Sequence, residues 1–311
     1  MSTVEHATQA TGGMSKTRKL VLGIGLVYVV GLVAFAVGFG IKGHKNESFK
    51  VIDSFHLEKW FGIAGPLEFD KGVLYLLLAT FITIGIMVYV ARHMQQRPGR
   101  LQVAVEGAYG LMKQVTGDNM DEERAKKWFP VIFTLFIFIL VSNLIGYIPL
   151  PVDSQNTFKL FGAHIPSFQI YAAVTNLAVP LVLALGVFVA YNVEGVRAHG
   201  PVGYIKSLIP KGVGGPMLIL IFPLEMISNF VLRPLSLTIR LWANLLAGHL
   251  LIDFMAGSLA VLLGLQLLAW LTLPLGVILF LFEAVLIAGL QAFIFAILTA
   301  IYIGGASSAS H

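Results

Sequence analysis

Leu235-Ser-Leu-Thr-Ile-Arg-Leu-Trp-Ala-Asn-Leu-Leu-Ala-Gly-His249 sets one arginine, Arg240, in an apolar run with no charged residue within six positions on either side. From Gly215 to His311 the only Lys, Arg, Asp or Glu residues are Glu225, Arg233, Arg240, Asp253 and Glu283. A guanidinium stays protonated, so it cannot escape lipid by losing its charge. Holding it at membrane depth costs at least about 2.5–3.5 kcal/mol, and an ionisable residue kept there is a functional-site hypothesis by default.

The rest of the chain agrees with a membrane setting. Its 311 residues are 57% hydrophobic and 12% charged, with a mean hydropathy of +0.84. Soluble domains carry about 25% charged residues, so the chain is read as a polytopic membrane protein, and with its helix-length apolar spans the expected fold class is all-α. Cysteine is absent, which excludes disulfides, thiolate catalysis and Cys-based metal sites. The net charge of +5 is no nucleic-acid signal, because the basic residues cluster between apolar spans. No Walker A, GxSxG or HExxH motif occurs. The longest polar stretch, about 92–127, is too short to bury a core of its own.

About six transmembrane helices are predicted. The first covers roughly 20–41 and is read as a retained helix in preference to a cleaved signal. Others cover about 71–91, 128–149 and 168–192, and two long tilted helices share 216–303 with a turn near Gly264–Pro274. Between them lie an interfacial loop at 42–70, a polar loop to Pro166 and a Gly/Pro-rich loop at 193–215. Leu101, Val105, Ala108, Leu111, Met112 and Val115 repeat at helical spacing, which predicts a membrane-surface helix over 101–117. The chain thus divides into an N-terminal extension, 1–70, and a core, 71–311. Seven Lys and Arg in 92–127 and three in 193–215, against one in 150–167, put the first two loops and the C-terminus on the cytoplasmic side. No internal repeat is detectable, which disfavours an inverted-repeat transporter.

Arg233, Arg240 and Asn244 are spaced to share one helix face, beside a stripe of small residues, Ser236, Ala243 and Ala247. His249 lies about 180° round the helix from Arg240, with Asp253 one turn on. The last helix offers Glu283 and, two turns on, Gln291. A cluster of His249, Glu283 and Asp253 can pass protons, whereas a permanent cation holds a partner carboxyl ionised and carries no proton itself. Together they have the physics of a proton valve. Plainer readings stand beside it: Arg233 snorkelling to the surface, His249 as a packing residue, Asp253 at a boundary, Glu225 as structural.

Arg233-Pro-Leu-Ser-Leu-Thr-Ile-Arg-Leu-Trp-Ala-Asn-Leu-Leu-Ala-Gly-His249 resembles the signature of subunit a of F-type ATP synthases. Leu290-Gln-Ala-Phe-Ile-Phe-Ala-Ile-Leu-Thr-Ala-Ile-Tyr302 resembles that family's closing helix, and Ser142-Asn-Leu-Ile-Gly-Tyr-Ile-Pro149 its third conserved segment. The resemblance covers roughly 70–311. It implies that Arg240 faces a rotating ring of c subunits, with Asn244, Gln291 and Ser236 as polar positions along the proton path. The family's Glu and His are exchanged here as His249 and Glu283, and Glu225 matches a carboxylate toward the cytoplasmic outlet. Where the family usually carries an Asp, this chain has Asn176, which cannot titrate. The implied partners are the c-ring, b-type peripheral-stalk subunits, the soluble ATP-handling sector and membrane lipid, with no nucleic acid, cofactor or metal. The implied place is an energy-transducing membrane, the bacterial plasma membrane, and the subunit is not catalytic alone. The competing classes are a stand-alone ion-coupled secondary transporter and an intramembrane enzyme.

Overall fold

The structure, a computed structural model, describes residues 23, 25–31, 33–34, 59–62, 68–160, 163–169, 171–209, 217–255 and 266–307. Among these, five helical spans are long and apolar enough to cross a membrane. They are α1 (Lys71–Arg92), α3 (Glu122–Ile145), α4 (Ala178–Ser207) and two spans of 36 residues each, Met217–Ile252 and Thr272–Ser307. The predicted span at 20–41 lies mostly outside the described residues; those of it that are described are helical. A further helix, α2 (Arg100–Asn119), stands where the amphipathic helix is expected.

The sequence dictates several boundaries. Asp70 caps α1, its Oδ1 accepting from the Val73 amide at 2.8 Å. The charged stretch ahead of the third predicted span joins the helix, so α3 starts at Glu122. Glu122 and Glu123 occupy its first turn, where the helix dipole favours acids, and Lys126 donates to Glu122 at 2.7 Å. Asn176 starts α4 later than predicted, its Oδ1 accepting from the Ala178 amide at 3.1 Å. This helix then runs through much of the predicted Gly/Pro loop. Gly200 (φ +74°) breaks it ahead of Pro201. Beyond the break Tyr204 lies against Gly195, where an added Cβ would stand 2.6 Å from ring atom Cδ2.

Both long spans are composite. The first joins α5 (Met217–Ile227), a π-helical segment (Ser228–Leu232) and α6 (Arg233–Asp253). The second joins α7 (Gln266–Phe282), a π-helical segment (Glu283–Ile287) and α8 (Ala288–Ser307). Pro274 lies inside α7, so 266–274 is helix where the end of a turn is expected, and Gly264 lies outside the described residues. Thirty-six helical residues rise about 54 Å against a hydrocarbon thickness of about 30 Å, so each span must tilt or protrude. The loop expected through Pro166 is an antiparallel hairpin of β3 (Leu150–Leu160) and β4 (Ala163–Gln169). A smaller hairpin, β1 (Lys59–Gly62) and β2 (Glu68–Asp70), precedes α1. Among the described residues, the spans long and apolar enough to cross a membrane are all helical.

By internal contacts the chain forms two compact units, 1–49 with 253–277 and 50–252 with 278–311. In the first, Thr272 donates to the Met255 carbonyl at 3.1 Å. In the second, α8 packs on α3 and α4. Its Ala288, Ala292, Ala296 and Ala300, one per turn, are 0% exposed, and small residues in such a row let helices approach closely. On α2, Val105, Ala108, Met112 and Val115 turn toward the bundle, while Leu101 and Leu111 stay exposed. Tyr109 packs edge-on against Phe129 and Phe133 of α3.

Gly304 of α8 meets the backbone of Asn119, whose carbonyl carbon would lie 3.1 Å from an added Cβ. Gly304→Ala must therefore part α8 from the end of α2, at a cost of about 1–3 kcal/mol. We expect the detergent-solubilised complex carrying it to dissociate at a lower temperature than native. Gly110→Ala, which points into open space, leaves that temperature unchanged.

Candidate functional site

Helix α6 has two faces. Leu237, Leu241, Leu245, Gly248 and His249 are buried. Ser236, Arg240, Asn244 and Ala247, at steps of three or four, are exposed among exposed Leu235, Ile239 and Leu251. Trp242 fixes the rotation of the helix by donating to the Thr175 carbonyl at 2.9 Å. Arg240 therefore points outward, and among the described residues no carboxylate pairs with it.

The other face meets Glu283. His249 is 2% and Glu283 3% exposed. Gly248 lets the Glu283 carboxylate approach α6 at the residue next to His249, because an added Cβ would stand 2.6 Å from Glu283 Oε2 and closer still to Oε1. Tyr147, just past the end of α3, sets its ring 5.1 Å from the His249 ring and 5.6 Å from Phe280. Burial, and after it the Glu283 charge, push the Tyr147 phenol well above its ordinary value. Glu283 opens the second π segment, and Asn143 donates to the Ala288 carbonyl just beyond it at 3.2 Å. His249 Nε2, Ser142 Oγ and Asn143 Oδ1 are buried without a protein partner, and orphaned polar atoms of this kind are the usual anchors of internal water. Gln291 is buried two turns beyond Glu283.

Arg233 is half-buried, less exposed than Arg240 and Asn244, with which its spacing groups it. Its guanidinium turns inward, donates to Asn229 Oδ1 at 2.6 Å and lies 5.2 Å over the Tyr302 ring. Asn229, 1% exposed, sits in the first π segment and donates to the Tyr204 hydroxyl at 3.0 Å. The Asn229 carbonyl accepts from Tyr191, and Tyr204 donates to Asn192 Oδ1 at 3.1 Å. The π segment's wider turn changes the register of the residues after it, a shift that helical spacing alone does not carry. Sequence reasoning missed this network; the four-residue step from Asn229 to Arg233 was its only signal. It also missed Lys127, which donates to buried Glu194 at 2.6 Å.

The remaining expected residues are scattered. Glu225 is half-buried on α5, and Asn176 is a helix cap. Asp253 ends α6, and its side chain lies outside the described part of the chain. Among the described residues no three His, Asp or Glu side chains converge as a metal site.

A helical bundle of long apolar spans with a buried histidine, a buried glutamate and an outward arginine is an integral membrane protein. The chain belongs to the ATP synthase A chain family, whose pattern residues 73–304 match. It is similar to "ATP synthase subunit a" of Rubrobacter xylanophilus, 39% identical over 80% of this chain and 86% of the relative. The protein of the same name from Nocardioides is 36% identical over 81% and 86%, and that of Acidiphilium cryptum 33% over 83% and 96%.

Gly248→Ala must displace the Glu283 carboxylate. In inverted vesicles we expect ATP-driven proton pumping to fall about tenfold, the scale of removing one proton-transfer contact. Gly289→Ala, with open space around it, keeps native pumping.

Proposed function

We propose that this chain is the proton-translocating subunit a of a rotary F-type ATP synthase, holding two half-channels against a ring of c subunits. The observation that carries this is Arg240, exposed on an apolar span and, among the described residues, without a carboxylate partner. Lipid cannot solvate a guanidinium, so the face that presents it must meet another protein offering an acid.

Protons reach the ring from the outer side through the cluster of His249 and Glu283, with Gln291 and Asn244 along the way. An imidazole beside a carboxylate passes protons in either direction, and the exchange of the two residues relative to the family's usual order keeps one of each. A ring carboxyl takes the proton and turns, neutral, through lipid. On arrival beside Arg240 the carboxyl is held in its ionised form and gives up its proton. The outlet leads toward Glu225. Ser236 and Ala247 keep the ring-facing surface of α6 low. Asn176 orders the start of α4, and Asp253 marks the end of α6. Each proton gains about 2.3 kcal/mol per 100 mV. The peripheral stalk and the soluble sector complete the assembly, and nucleotide chemistry belongs there, so this subunit is not catalytic alone. The basic loop is cytoplasmic, as is the C-terminus. In support, the Lys127–Glu194 pair ties the start of α3 to the far half of α4, and the end of α8 meets the end of α2 at Gly304. The membrane is the bacterial plasma membrane.

Arg240→Ala is expected to abolish ATP-driven proton pumping in inverted vesicles while assembled complex and soluble ATPase activity remain. Unchanged pumping would make Arg240 structural and overturn the reading. A second comparison probes the exchanged pair. His249→Ala and Glu283→Ala are each expected to lower ATP-synthesis rate by about 10²-fold or more, typical of removing a positioned acid–base group. The double variant His249→Glu, Glu283→His is expected to recover most of that loss. A double variant as poor as either single one would remove the relay assignment.

A further inference from the structure

Arg240 guards the surface that meets the ring, but it does not guard the interior. A second polar chain links the first long span to α4: Arg233 to Asn229, Asn229 to Tyr204, Tyr204 to Asn192, with Tyr191 on the Asn229 carbonyl. Linked hydroxyls and amides are the material of a proton wire, because each group can both donate and accept. This chain lies between the two sides. Along α6, Arg233 is about 24 Å before His249 at helical rise, and along α8 Tyr302 is about 16 Å beyond Gln291. On α4, Glu194, the buried acid paired with Lys127, is one turn past Tyr191. A proton leaking inward from His249 and Glu283 through the core would reach Glu194 by way of this network.

Arg233 stands in that path with its charge uncancelled. It is bound by an amide oxygen and an aromatic face, and among the described residues it has no carboxylate partner. An acid at Asn229 would satisfy the same hydrogen bond and neutralise the guanidinium; the chain has an amide there instead. We infer that Arg233 is a second fixed charge, half-buried against Asn229 and Tyr302, that closes the internal route between the half-channels as Arg240 closes the route along the ring. The inference rests on the proton-conducting reading above. Arg233 acts as a positioning residue through its field, touching no transferred proton. A unit charge about 10 Å away at an effective dielectric near 20 changes the passage of a second cation by roughly tenfold.

The test uses the whole complex in inverted vesicles. A proton gradient is built with ATP, ATP hydrolysis is then stopped, and the rate of gradient decay is followed. Arg233→Gln is expected to speed decay about tenfold with ATP hydrolysis retained, and Arg233→Lys to stay tight. Asn229→Asp keeps the hydrogen bond and the shape while cancelling the charge, so it is expected to leak as Arg233→Gln does. It decides the matter where Arg233→Gln does not assemble. Native decay rates in an assembled Asn229→Asp complex would overturn the inference, since a purely structural Arg233 is served as well by Asp as by Asn. Arg240→Ala, run in parallel, separates the two readings. Pumping that survives it removes the proton-conducting reading, whereas an Arg240→Ala loss with tight Asn229→Asp vesicles removes only this one.

Discussion

A guanidinium that cannot be neutralised, held among hydrocarbon, is the constraint on which the rest of this structure depends. It demands an outward face for Arg240, because among the described residues no carboxylate pairs with it. It demands that α6 be held in one rotation, which the Trp242 bond to the Thr175 carbonyl supplies. It also divides the polar groups of the membrane region. The titratable His249, on the opposite side of the same helix, and Glu283, on the next long span, are both buried.

The two π segments serve this division. Each long span carries one, and each delivers a buried polar side chain to the core, Asn229 in the first and Glu283 in the second. A π turn opens the regular hydrogen-bond ladder and frees backbone groups. Here those groups have partners from neighbouring helices: Tyr191 bonds the Asn229 carbonyl and Asn143 bonds the Ala288 carbonyl. The irregularities are thus stitched into the bundle by the same residues that line its polar interior.

Much of this was legible in the sequence. Arg240, His249 and Glu283 stand out because a lone polar residue in an apolar run has few other reasons to be there. The opposition of Arg240 and His249 across α6 comes from their nine-residue separation. The spans were legible from hydropathy, but their ends were not. Hydropathy cut α3 short at its charged first turn and mistook the far part of α4 for loop, since a cap or a broken turn changes no average. The inward turn of Arg233 was illegible for a different reason. Helical spacing assigns it to Arg240's face, while the choice between water, lipid and a tyrosine ring is made by neighbours on α4 and α8 that are distant in sequence. The hairpin at 150–169 carries too little alternation to announce itself.

The row Ala288, Ala292, Ala296, Ala300 bears on mechanics as well as packing. A ring driven past a stationary subunit pushes on it sideways, and whatever yields under that push wastes part of each step. Methyl groups have no rotamers to change. A helix seated on four of them, against α3 and α4, can neither settle deeper nor let side chains swing aside. The closing helix is in this sense a stiff spar, and its opposite edge, with Leu290 and Ile301 exposed, is left free to be soft.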